Sequence, residues 1–158
     1  MSTSAVIVVT GAVPVEIPGV LAVHNPDWET GMGSSLATGL LALSNGDAKA
    51  AVIALADQPL VGAEAVSRLI AAFSSGAAVA VAAYDGKPRN PVLIAREHWP
   101  AVLELAAGDT GARPFLQAHP GLITLIECGD TGSPDDVDTP EDLARVRREA
   151  TVRSKESF

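Results

Sequence analysis

At 158 residues, with 47% of them hydrophobic, the chain has the material for one packed core and is not a disordered polymer. A formal net charge of −8 argues against nucleic acid or an anionic membrane as a partner, and no run reaches the roughly 18 apolar residues of a membrane span. The single cysteine, Cys128, excludes an intramolecular disulfide and a multi-cysteine zinc site, and with no signal-peptide pattern at the N-terminus the expected location is cytoplasmic.

Ala5 to Val9 is rich in β-branched residues and closes at Thr10-Gly11, the pattern of a buried strand. Val13 to Gly19 holds two prolines and a glycine, which leaves little room for a helical crossover between parallel strands. Val20 to Val23 resumes a strand, and His24-Asn25-Pro26-Asp27-Trp28 ends it with turn chemistry. Gly31-Met32-Gly33-Ser34-Ser35 then leads into an apolar stripe at Leu36, Leu40 and Leu43, a helix that Ser34 or Ser35 would cap and Asn45-Gly46 would stop.

Ala51-Val52-Ile53-Ala54-Leu55-Ala56-Asp57-Gln58-Pro59 is the stretch around which the chain is organised. Its unbroken run of small and β-branched residues suits a strand buried on both faces of a parallel sheet. Pro59 ends regular structure and leaves Asp57 at the strand's carboxyl end, the edge at which open α/β sheets bind ligands.

Beyond it, Val66, Leu69, Ile70 and Phe73 mark a helix stopped by Ser74-Ser75-Gly76. Ala78 to Ala83 is a strand, 84–88 a turn, and Pro91 to Ile94 a short strand whose proline suits an edge or a strand start. Glu97 to Leu105 reads as a helix with Pro100 near its start, Pro114 opens a short helix reaching His119, and Leu122 to Ile126 is the last strand. Thr139-Pro140-Glu141-Asp142 has the cap, first-turn proline and acidic residues of a final helix. Strands alternating with helices predict one α/β domain over residues 1–150, with a mostly parallel sheet, helices on both faces and a frayed tail from 151 to 158.

Two acidic points end apolar segments: Asp57, and Asp135-Asp136-Val137-Asp138 before the last helix. Carboxylates from two loops can hold Mg²⁺ against substrate phosphates, and aspartates before a proline or a helix start are equally ordinary turn and cap chemistry. The Gly31 to Ser35 turn could present backbone N–H groups to an anion or ribose, or be a plain glycine loop; it is neither a dinucleotide fingerprint nor a Walker loop. His24, His98 and His119 lack metal-type spacing and are read as structural, and Trp28 as a partly buried anchor.

Taken in order, His24 to Trp28, Gly31 to Leu36, Leu55-Ala56-Asp57-Gln58-Pro59, Asn90-Pro91-Val92-Leu93, Gly108 to Arg113 and Asp136 to Leu143 resemble the molybdenum cofactor cytidylyltransferase branch of the MobA-like nucleotidyltransferases, from about Ala5 to Arg148. The resemblance implies a Rossmann-like nucleotidyltransferase fold and Mg²⁺-dependent transfer of a nucleoside monophosphate from an NTP, here CTP, to the phosphate of molybdopterin, with pyrophosphate released. It implies that Asp57 is the metal aspartate and Asp138 the second acidic ligand, and that Gln58 belongs to the substrate site. It places Gly31, Gly33, Ser34 and Ser35 near the nucleotide's base and ribose, and Asn90 and Asp109 on the acceptor side.

The chain departs from the family in lacking its Gly-rich, Arg- and Lys-containing triphosphate loop, and Arg89 stands where the family usually has glycine. The first strand is therefore expected to be missing or replaced, with a partner chain or a second copy of this one supplying it. The alternative to an enzyme is a noncatalytic nucleotide- or pterin-binding module completed by such a partner segment.

Overall fold

The structure is a computed structural model that describes residues 5–13 and 16–156. Its packing divides into two compact units, Met1–Ala51 with Ile94–Ile123, and Val52–Leu93 with Thr124–Phe158.

In the first unit, β1 (Ile7–Thr10) and β2 (Leu21–His24) pair in parallel, with Ile7 opposite Leu21 and Thr10 opposite His24. Only residues 11–20 join them, fewer than a helical crossover needs, and no helix is described between the strands. Of the expected breakers in this connection, Pro18 and Gly19 lie in a described turn, and Pro14 lies outside the described residues. Helix α1 (Met32–Ser44) packs on this pair through Leu40, which is 2% exposed, and through Gly39, where a Cβ would stand 3.2 Å from Val9.

Asn45 and Gly46 stop α1 as expected, but its N-cap is Gly31, and neither Ser34 nor Ser35 caps it. A chain turning through Gly31 at φ 116° starts the helix three residues early and places both serines inside its first turns. Arg96 secures the other end: its guanidinium donates to the carbonyls of Ser44, Gly46 and Ala48 at 2.8–2.9 Å and lies over the Trp99 ring. A single-turn 3₁₀ helix over Arg96–His98 leads into α3 (Trp99–Leu105), with Pro100 in its first turn. Helix α4 (Arg113–Ala118) likewise carries Pro114 there, where a missing N–H costs nothing.

The second sheet runs in the order β3-β5-β4-β6, formed by β3 (Ala50–Ile53), β4 (Val79–Tyr84), β5 (Lys87–Ala95) and β6 (Ile123–Glu127). All six residues of β4 are buried. It turns into β5 through Asp85 and Gly86 alone, at φ 53° and 76°, the positive-φ pair of a two-residue hairpin, so these strands are antiparallel within a mostly parallel arrangement.

Two strand expectations are corrected. The organising strand stops at Ile53, four residues before Asp57, because the chain leaves the ladder into a turn in which the Gln58 N–H bonds the Leu55 carbonyl. It is also only partly buried, with Ala51 its one fully buried residue. β5 begins at Lys87 rather than Pro91 and lies between two strands rather than at an edge. It has nine residues against four in β3, so part of it lacks a ladder partner on that side, and a proline without an N–H is tolerated there.

Helix α2 (Ala63–Ser74) packs on β4 through the fully buried Leu69, worth roughly 2–3 kcal/mol of apolar transfer. Cys128 is a free, buried cysteine whose N–H bonds the Ala83 carbonyl at 2.7 Å, in keeping with a core residue. Helix α5 (Pro140–Glu156) starts where expected, with Thr139 Oγ1 accepting the Asp142 N–H at 3.1 Å. It continues through Thr151 to Glu156, into the segment expected to fray. Among the described residues no helix is long and apolar enough to cross a membrane.

Candidate functional site

The first unit gathers Gly31, Gly33, Ser34, Ser35 and Asp109. The Gly33 N–H donates to the Gly108 carbonyl at 2.7 Å, and a Cβ on Gly33 would come within 2.9 Å of the Ala107 nitrogen. A Cβ on Gly31 would stand 2.5 Å from both Asp109 Oδ1 and the Gly108 carbonyl oxygen. The Gly-x-Gly spacing is thus required for the 107–109 loop to lie against the start of α1, a contact that spacing alone does not reveal.

At the centre of this group is a residue that sequence reasoning passed over, Asn25, whose surface is 1% exposed. Its Nδ2 donates to Ser34 Oγ at 2.8 Å and Ser35 Oγ at 3.0 Å, and its Oδ1 accepts the Asp27 N–H at 2.9 Å. Its backbone N–H extends the β-pair by bonding the Thr10 carbonyl at 2.8 Å. The available signal was an Asn-Pro turn directly after a strand, with two serines nine and ten residues on.

The second unit brings Asp57, Gln58, Asp136 and Asp138 together. The loop after β3 and the loop before α5 are joined by the Val137 N–H donating to the Asp57 carbonyl at 2.7 Å, with Asp136 and Asp138 on either side of the joint. Gln58 Nε2 donates to Asp136 Oδ1 at 2.9 Å, while Gln58 Oε1 is buried with no hydrogen-bond partner among the described residues. Asp57 is largely exposed, but what desolvation it has, then the Asp136 carboxylate and to a lesser degree Asp138, push its carboxyl above the usual carboxylate range; its own backbone N–H partly opposes them. Asp138 is fixed by the helix start, its N–H donating to Asp142 Oδ2 at 3.2 Å.

The resemblance singles out Asp138 of this acidic run and gives Asp136 no role, yet Asp136 is not loose. Gln58 and the Val137 joint pin it, and Arg145 holds the neighbouring Asp135 at 3.1 Å. Asn90, half-buried on β5, makes none of the described side-chain hydrogen bonds to these loops.

The donor set suits a hard divalent cation. It is all oxygen and carries excess negative charge from Asp57, Asp136 and Asp138. Among the described residues, no three carboxylate, histidine or cysteine side chains enclose an ion by themselves. Mg²⁺ and Mn²⁺ tolerate this, since phosphate oxygens and water fill their remaining positions.

An α/β chain with carboxylates on loops beyond its strands has the outline of a nucleotide-handling fold. The family model of the MobA-like NTP transferase domain matches residues 1–122, and the chain belongs to that family. It is 37% identical over 131 residues to the nicotine blue oxidoreductase of Paenarthrobacter nicotinovorans, covering 78% of this chain and 63% of that protein. To the purine catabolism protein PucB of Bacillus subtilis it is 34% identical over 123 residues, covering 77% and 58%. The chain thus spans about three-fifths of the length of the curated relatives it matches.

Among solved structures, a mycobacterial homologue of Rv0371c from strain JC1 superposes with a TM-score of 0.75 at 31% identity, covering 94% of this chain and 76% of that one. Rv0371c of Mycobacterium tuberculosis in complex with manganese shares the fold at a TM-score of 0.66 and 23% identity, covering 91% and 77%.

Proposed function

We propose that this chain is a cytoplasmic, Mg²⁺-dependent nucleotidyltransferase that moves a nucleoside monophosphate from an NTP, CTP being favoured, to a phosphorylated acceptor such as molybdopterin. An acceptor phosphate oxygen attacks the α-phosphorus, the α–β bridging bond breaks, and pyrophosphate leaves with the bonding electrons. The observation that carries this reading is the joint between the Asp57 and Asp136–Asp138 loops, which brings like-charged carboxylates near one another, an arrangement that a divalent cation would stabilise.

Asp57 would hold the metal, with Asp138 as second ligand and Asp136 beside them, clamped by Gln58. The metal, when bound, would neutralise phosphate charge as it develops. The protein's part is positioning and electrostatics, with no covalent nucleophile required. The Gly31–Ser35 turn is assigned to the nucleotide, and Asn90 and Asp109 to the acceptor. A manganese complex of a protein with this fold supports a divalent site.

A second reading keeps the nucleotide site without the transfer step. The chain would then be a noncatalytic nucleotide- or pterin-binding module completed by a partner segment or a second copy. The names of the curated relatives, an oxidoreductase and a purine catabolism protein, extend the acceptors worth testing to other nitrogen heterocycles.

Pyrophosphate release is the test: the purified chain with Mg²⁺, molybdopterin and each of CTP, GTP and ATP in turn. Release with CTP that is lost in Asp57→Asn supports transfer. Metal-dependent NTP binding without release supports the module, and neither binding nor release rejects both.

A further inference from the structure

We propose that Asn25 is a positioning residue for nucleotide binding, acting by turning the Ser35 hydroxyl into an outward-facing hydrogen-bond donor. The inference rests on the assignment of the Gly31–Ser35 turn to the nucleotide and adds to it a residue that touches no substrate.

Helical serines and threonines ordinarily donate their hydroxyl proton back to a carbonyl one turn earlier. Helix α1 shows this twice: Thr38 Oγ1 donates to the Ser34 carbonyl and Ser44 Oγ to the Leu40 carbonyl, both at 2.8 Å. Ser34 spends its proton locally as well, with the carbonyls of Gly31 and Asp27 each 3.0 Å away. Ser35 is different. Its oxygen accepts from Asn25 Nδ2 at 3.0 Å, and among the described residues its own proton is given to no acceptor.

The direction of that bond is fixed. Asn25 Oδ1 must accept the Asp27 N–H, so the amide cannot flip, and both of its N–H groups face the serines. Burial of the amide at 1% exposure removes competing water. Ser35, which is half-buried, therefore accepts on its inner side and has its proton free for an acceptor outside, such as a ribose or phosphate oxygen of the NTP. No other serine or threonine in α1 is left in that condition.

Asn25→Asp tests this with little change in shape. The carboxylate still accepts the Asp27 N–H, but it has no donor, so both serine hydroxyls turn inward to bond it and Ser35 loses its outward proton. Calorimetric titration with Mg²⁺ and a nonhydrolysable CTP analogue should show a loss of about 5- to 10-fold for Asn25→Asp and for Ser35→Ala, the scale of one hydrogen bond. The double variant should be no weaker than either single one, and Ser35→Thr, which keeps the hydroxyl, should restore most of the affinity. If Asn25→Asp is not folded by far-UV circular dichroism, Asn25→Ala takes its place in the cycle.

Wild-type affinity in the Asn25 variant, or losses that simply multiply in the double variant, would overturn the proposal while the turn's nucleotide role stands. Absence of nucleotide binding by the wild-type chain, with GTP and ATP analogues as well, would overturn that role and the proposal with it.

Discussion

The two units hold polar clusters of opposite character. Around Asn25 every polar atom of the amide has a partner and water is excluded. Around Asp57 the carboxylates are exposed and like-charged, and the buried Gln58 amide oxygen has no partner among the described residues. A satisfied network fixes geometry, while an unsatisfied one stores a demand that a ligand can meet. The contrast sets a cluster that holds the fold together against one proposed to bind a ligand.

The largest expected effect comes from breaking the satisfied side. Asn25→Leu leaves the Asp27 N–H without its partner and strips the serines of their donor, which should destabilise by about 3 kcal/mol. Thermal denaturation should register this as a Tm lower by roughly 10 °C. Gly31→Ala should come next, at about 2 kcal/mol, because a Cβ there meets the 107–109 loop at a φ that only glycine adopts readily. Urea unfolding of that variant should show a lower midpoint with an unchanged slope.

Glu127 sharpens the comparison within the second unit. The Gly86, Gly129 and Asp85 N–H groups all donate to its carboxylate and hold it below its ordinary range, the reverse of Asp57. A carboxyl depressed in the folded state contributes stability above its unfolded pKa and loses it as pH falls through the folded one. Glu127→Gln should therefore lower Tm at pH 7, and the gap from wild type should close under acid conditions.

The smallest effect has the opposite sign. Asp57→Asn removes a charge whose protonation is favoured by its neighbours, so without metal it should be as stable as wild type or up to about 0.5 kcal/mol more stable at pH 7. A Tm rise of about 1–2 °C at most is expected.

Much of this was legible in the sequence because it is local. Thr139-Pro140 marked the start of α5 and Asn45-Gly46 the stop of α1, each through chemistry confined to a few residues. What escaped depends on partners distant along the chain. Asp136 is anchored by Gln58, 78 positions away, and the glycines before α1 answer to a loop more than 70 residues later. β5 was misjudged because a proline penalises a strand only where its missing N–H is needed, and sheet order decides that. The serines were misread as caps because Gly31 starts the helix ahead of them.

The most direct test of the central proposal, that the exposed, like-charged carboxylates around Asp57 hold a divalent cation with an NTP, is thermal stability with and without Mg²⁺ or Mn²⁺ plus a nonhydrolysable CTP analogue. A ligand bound only by the folded state at 100 times its Kd adds about 2.7 kcal/mol, so wild type should gain roughly 5–10 °C. Asp57→Asn, no less stable at the outset, should gain almost nothing. An equal gain in both proteins, or none in either, would contradict the account.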